Sequence, residues 1–154
     1  MNNFEYCNPT RIVFGKGTLS RLAELVPSDK PVMMTYGGGS IFDNGVYAQV
    51  KEALSKHTVI EFGGIPPNPT YERCMQAVEV ARRGGIGFLL AVGGGSVLDG
   101  TKFIAAAIPY LDGDPWIFLA KRGEVMPASA IPIGCVLTLP ATGSEMNPFS
   151  VISR

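Results

Sequence analysis

A chain of 154 residues, 46% of them apolar, with a mean hydropathy of +0.21, is long enough to bury one ordinary core and is read as a single domain over 1–154. Thirteen basic and thirteen acidic residues balance to zero formal charge, which argues against a nucleic-acid footprint or a polybasic membrane contact and leaves a small-molecule ligand as the expectation. The apolar runs 88–92 and 130–139 are too short, or too broken by Gly and Pro, to span a bilayer.

Residues 1–5 have neither a basic start nor an apolar stretch, so no secretory signal is read and a cytoplasmic location is expected. Cys7, Cys74 and Cys135 are odd in number and widely spaced, which suits reduced, partly buried thiols. Residues 10–14 read as a short extended segment. Thr18 should cap a helix carrying Leu19, Leu22, Ala23 and Val26 at helical spacing, with Pro27 ending it. Gly15-Lys16-Gly17 lacks the remaining residues of a phosphate loop and is taken as a turn.

Residues 31–36 read as a buried strand running into the cluster Gly37-Gly38-Gly39-Ser40. Asp43 or Asn44 should then cap a helix with Val46, Val50 and Leu54 on one face. Residues 58–62 give a further strand. Asn68 followed by Pro69 has the form of a cap and first helical residue, and the helix should reach Arg83. In it Cys74, Ala77, Val78 and Ala81 form the apolar stripe, while Glu72, Arg73, Glu79, Arg82 and Arg83 are expected in solvent.

Residues 88–92 form the next strand, followed by Gly93-Gly94-Gly95-Ser96 and a helical segment from Thr101. The last strand, 130–139, contains two prolines and a glycine, which point to irregular ends or a sheet edge. Alternating strands and helices imply a doubly wound, mostly parallel α/β sheet with helices on both faces.

In such a sheet, ligands lie beyond the carboxyl ends of the strands, where both glycine clusters fall. Three glycines before a helix permit unusual dihedrals and leave its unpaired N–H groups open to an anion such as phosphate. However, Leu98 stands where a G-x-G-x-x-G fingerprint needs its third glycine, so a structural tight turn remains an alternative. Where an NAD site commonly carries a carboxylate, residues 37–40 offer backbone donors and one hydroxyl, which favours NADP over NAD. Thr138, Thr142 and Ser144 could bond a polar ligand or cap the next turn, and Asp99 and Asn147 could equally be ligand contacts or turn formers. His57, the single histidine, is taken as a surface residue. No cysteine or carboxylate spacing suggests a metal site, and no complete catalytic apparatus is present.

Four motifs in order, Asn8-Pro9-Thr10-Arg11-Ile12-Val13-Phe14-Gly15, Pro67-Asn68-Pro69, the stretch from Gly93 through Asp99 to Lys102, and the stretch from Leu137 to Glu145, resemble the iron-containing (group III) alcohol dehydrogenase family, in its NADPH-dependent aldehyde reductase and butanol dehydrogenase branch. The resemblance implies a Rossmann-like dinucleotide-binding domain, followed in the family by an all-helical domain that this chain lacks. It implies that Gly94, Gly95, Ser96 and Asp99 hold the pyrophosphate side of NADP(H). Gly38 and Ser40 would take the 2′-phosphate, Asn68 the adenosine side, and Thr138, Thr142 and Asn147 the nicotinamide side. It further implies an aldehyde or alcohol substrate, a homodimer, and a divalent metal, Fe or Zn, whose ligands lie outside this chain. On that reading the chain alone is not catalytically competent. A non-catalytic dinucleotide-binding module is the alternative, and a fragment like dehydroquinate synthase or glycerol dehydrogenase a more distant one.

Overall fold

The structure, a computed structural model, describes residue 5 and residues 7–121 and 124–154. Residues 1–4, on which the absence of a secretory signal was read, lie outside the described residues. Among the described residues no helix is long and apolar enough to cross a membrane.

Chain order gives helix α1 (Leu22–Leu25), strand β1 (Val32–Tyr36), helices α2 (Ser40–Asp43) and α3 (Val46–Ala53), strand β2 (Val59–Phe62), helix α4 (Tyr71–Arg83), strand β3 (Phe88–Gly94), helices α5 (Gly95–Ala107) and α6 (Ile117–Ala120), and strand β4 (Ile133–Leu139). The strands form one parallel sheet in the order β2-β1-β3-β4. A buried parallel strand must be apolar on both sides, and β3 is buried at every residue from Phe88 to Val92. Met33, Leu89 and Ala91 pack on one face against α4 and α5, with Cys74, Ala77, Val78, Ala81 and Ile104 in the same cluster. Val32, Met34, Leu90 and Val92 pack on the other face against Leu22, Val50 and Leu54. Burial of each larger side chain stabilises by roughly 1.5–3 kcal/mol.

The course of the chain has a topological consequence. From β1 it moves outward to β2 across one face, then returns over the other face to β3 on the opposite side of β1. The loops leaving β1 and β3 therefore diverge to opposite faces, opening a crevice at their carboxyl ends.

Several local expectations are corrected. Residues 10–14 join no strand: Ile12 and Phe14 are exposed, and the polar residues beside them hold the segment instead, through Asn8 to the Met146 carbonyl (2.9 Å) and Thr10 to the Glu145 carbonyl (3.3 Å). The Thr18 hydroxyl donates to the Gly15 carbonyl (2.9 Å), Gly17 (φ +73°) takes the cap position, and the segment begins as a 3-10 turn before α1. Val26 is extended, the conformation a following proline imposes. Gly45 (φ +75°) precedes α3, although Asn44 contributes by accepting from the Val46 N–H (3.1 Å). Cys7 and Cys135 are exposed, whereas Cys74 is buried, and burial pushes its thiol up to about 12. His57 is half-buried and bonds the Val26 carbonyl through Nε2 (3.0 Å).

Thr70, not Asn68, caps α4, accepting from the Arg73 N–H (3.4 Å), because Pro69 is held in an extended strap by its carbonyl's bond from the Ser153 N–H (2.9 Å). Of the charges expected in solvent on α4, Arg82 is exposed but also bonded, and Arg73 is half-buried with partners. Arg82 donates to the carbonyls of Ala107 (2.8 Å), Ile108 (3.0 Å) and Tyr110 (2.6 Å), satisfying the open end of α5. Arg73 lies over the Phe62 ring, 4.2 Å from its centroid, and donates to the Gly63 carbonyl. Strand β4 is shorter than expected, beginning only after Pro132, and it stands at the sheet edge as its composition implied.

Candidate functional site

Strands β1 and β3 pair to their ends, Tyr36 opposite Val92, so the two glycine clusters leave the sheet side by side. The second cluster is not a loop. Strand β3 runs through Gly94, and α5 begins at Gly95, six residues earlier than the periodicity suggested. None of Gly93, Gly94 and Gly95 has positive φ; Gly94 sits at φ −88°, ψ −169°. Gly93 and Gly95 are needed for space, whereas a Cβ on Gly94 would meet nothing nearer than Leu139 Cβ at 3.9 Å. A Cβ on Gly93 would lie 2.6 Å from Val97 Cγ2, and one on Gly95 would lie 3.1 Å from Thr142 Oγ1. Val97 also faces the neighbouring turn, its Cγ2 lying 3.5 Å from where a Gly37 Cβ would stand.

The 13-residue helix α5 therefore presents its N-terminus at the crevice. Gly94 at the cap position has no side chain to satisfy the first N–H groups, and the first turn carries no acidic residue. The helix dipole and these donors together favour an anion. The half-buried Ser96 hydroxyl has no hydrogen-bond partner among the described residues.

Gly38 and Ser40 are both exposed beside this end, with open space around Gly38, and Gly39 needs its φ of +126°. The nearby carboxylate of Glu61 does not serve this turn. It accepts from Lys51 (2.7 Å), Tyr47 (3.0 Å) and Tyr36 (3.4 Å). Burial alone would raise its pKa, but these bonds outweigh burial and hold the carboxyl below its ordinary range.

Thr138 has a role visible only in the ladder. Gly93 pairs with Leu137 and Gly94 with Leu139, so Thr138 is the extra residue of a β-bulge beside the glycine turn. Bulges of this kind re-aim a side chain. Thr142 stands exposed against the first residue of α5. Asn68 is exposed at φ +55°, and its neighbour Pro69 lies beside Gly100 of α5, 3.4 Å from where a Cβ there would stand.

The expected site residues outside the Asn68 strap fall at the carboxyl ends of three adjacent strands: Gly38 and Ser40 after β1, Gly94, Gly95 and Ser96 where β3 passes into α5, and Thr138 and Thr142 at and after the end of β4. Asp99 and Asn147 are placed differently. Both Asp99 carboxylate oxygens accept bonds, from Ser144 Oγ (2.5 Å) and from the Val151 N–H (3.1 Å). The Asn147 amide donates to the Gly143 carbonyl (2.8 Å) and accepts from the Phe149 N–H (2.9 Å).

Two polar features escaped the sequence reading. Lys102 donates to the carbonyls of Asn147 (3.1 Å) and Phe149 (2.6 Å), and burial pulls its ammonium below the usual lysine range against the opposing pull of Asp99. Thr35 and Thr101 share a buried 2.6 Å bond between β1 and α5. Lys102 stands three residues after Asp99, a spacing that could have flagged the pair.

Among the described residues no group of three or more His, Cys, Asp or Glu side chains stands together. The described residues do not fit a metal site.

Sheet order and the uncapped helix end at the switch point define a Rossmann-like α/β domain. Residues 9–154 match the family described as iron-containing alcohol dehydrogenase, and the chain belongs to that family. It is 59% identical, over its whole length and 40% of the relative's, to the NADPH-dependent aldehyde reductase YqhD of Escherichia coli. It is 51% identical, with the same coverage, to a probable NADH-dependent butanol dehydrogenase of Bacillus subtilis. The crystal structure of E. coli YqhD superposes with a TM-score of 0.95 at 58% identity, covering 99% of this chain and 39% of that one. The chain thus spans about two fifths of the length of these relatives.

Proposed function

We propose that this chain is the NADP(H)-holding part of a metal-dependent alcohol dehydrogenase or aldehyde reductase. The observation that carries the reading is the uncapped N-terminus of α5 at the switch point, beside a second glycine turn that contains no carboxylate. The N–H groups of 95–97 and the Ser96 hydroxyl hold the pyrophosphate. Gly38 and Ser40 receive the 2′-phosphate, and Asn68 lies on the adenosine side. Thr138, at the register shift of β4, and Thr142 line the nicotinamide side, with Asn147 in the loop behind them.

Bound NADPH supplies a hydride for an aldehyde, or NADP accepts one from a primary alcohol. This chain's contribution is to fix the cofactor and shield one side of it. A metal and the other wall of the cleft would be held by the part of the relatives' length that this chain does not span. In the assembled protein we place this domain in a cytoplasmic homodimer.

Calorimetric titration with NADPH and NADH at equal ionic strength tests the reading. We expect saturable one-to-one NADPH binding, with NADH weaker by at least about tenfold, equivalent to about 1.4 kcal/mol. Equal or tighter NADH binding overturns the 2′-phosphate assignment, and binding of neither overturns the cofactor reading.

A further inference from the structure

Gly95, Asp99 and Lys102 recur at intervals of four and three residues, so they share one face of α5. The segment 142–151 lies along that face. Thr142 sits over Gly95; Ser144 Oγ and the Val151 N–H bond the Asp99 carboxylate; and Lys102 takes the carbonyls of Asn147 and Phe149. Ser150 closes the seam by donating to the Asp99 main-chain carbonyl (2.6 Å). The two charged groups face each other at 3.9 Å and are mostly buried, with side-chain exposures of 17% for Asp99 and 11% for Lys102.

A bare carboxylate on the cofactor side of α5 would repel a pyrophosphate, yet both Asp99 oxygens already accept bonds from the chain itself. The segment they hold has only a three-residue 3-10 turn, Ser144–Met146, as regular structure. Its position comes from side-chain bonds: Asn8 and Thr10 bond the Met146 and Glu145 carbonyls from outside, and the bonds from α5 converge on Asp99 and Lys102.

We infer that Asp99 and Lys102 form a clasp that seats 142–151 on α5, making Asp99 a positioning residue for the nicotinamide-side wall and not a cofactor ligand. Asp99 fixes the two ends of the segment, at Ser144 and Val151. Lys102 fixes its middle by drawing in two carbonyls. Thr142 and Asn147 stand where they do because both anchors hold. The inference rests on the cofactor reading above only in what the seated wall touches; the clasp itself is a property of the free chain.

The test uses the whole chain with Asp99→Asn, nearly isosteric, and Lys102→Met, which retains the apolar stem. Amide hydrogen exchange is measured without ligand, and NADPH and adenosine 2′,5′-bisphosphate are titrated separately. The clasp predicts that exchange over 143–151 speeds up on the order of tenfold or more in both variants, as expected for about 1.4 kcal/mol of lost local protection. β1 and β3 should stay protected, which shows that the fold survives. NADPH affinity should fall roughly tenfold in both, while the bisphosphate, which lacks the nicotinamide side, binds as before. Weaker NADPH binding with unchanged exchange over 143–151 would make Asp99 a direct contact and overturn the inference. Loss of protection throughout the sheet would equally overturn it, since the pair would then hold the fold and not the segment. If the unaltered chain binds no NADPH, the cofactor reading fails and the exchange result alone decides on the clasp.

Discussion

Ser96→Asp is expected to raise the thermal stability of the chain while removing NADPH binding. Ser96 is the second residue of α5, whose first turn has no acidic side chain and whose cap position is a glycine. A carboxylate there meets the positive end of the helix dipole and stabilises by about 0.3–1 kcal/mol. The same carboxylate occupies the donors offered to the pyrophosphate and repels it. Two unit charges about 4 Å apart at an effective dielectric of about 20 interact by about 4 kcal/mol, so affinity should fall by at least about a hundredfold. A melting curve and a calorimetric titration on one preparation read both signs. A variant that is more stable and still binds NADPH normally would place the cofactor away from this helix end.

The second large effect concerns why the turn is glycine. Gly93→Ala should destabilise by about 1–3 kcal/mol, the usual cost of overpacking. An added Cβ would meet Val97 Cγ2 at 2.6 Å and Val97 Cβ at 3.0 Å, and Val97 is itself buried and unable to swing away. Val97→Ala removes the closer of these atoms, so the double variant should lose less than the sum of the two single losses. Urea unfolding of the four proteins measures this coupling. Strict additivity would show that a close approach between β3 and α5 is not what demands glycine at 93.

The sequence made the central elements legible where one pattern dominated. Strand β3 is an uninterrupted apolar run, and α4 has a stripe, Cys74, Ala77, Val78 and Ala81, that is buried throughout. The crevice residues could be named because glycine clusters after apolar runs mark strand ends. Their mechanism was less legible, since composition cannot distinguish a glycine needed for its dihedral from one needed for space. Gly39 is of the first kind and Gly93 of the second. Thr138 as a bulge residue is defined only relative to Gly93 and Gly94 on another strand. The displacement of the α4 cap from Asn68 to Thr70 depends on a bond from Ser153, more than eighty residues away. The Asp99 to Lys102 spacing was visible, but its partners lie about forty-five residues further along.

The central claim is that one dinucleotide spans both glycine turns and the bulge of β4. Amide chemical-shift mapping of the isotopically labelled chain during NADPH titration tests it most directly. The predicted result is concerted shifts at 37–40, 94–97 and 138–142 with a single saturation curve. Saturable shifts confined elsewhere, or at only one of the two glycine turns, would contradict it.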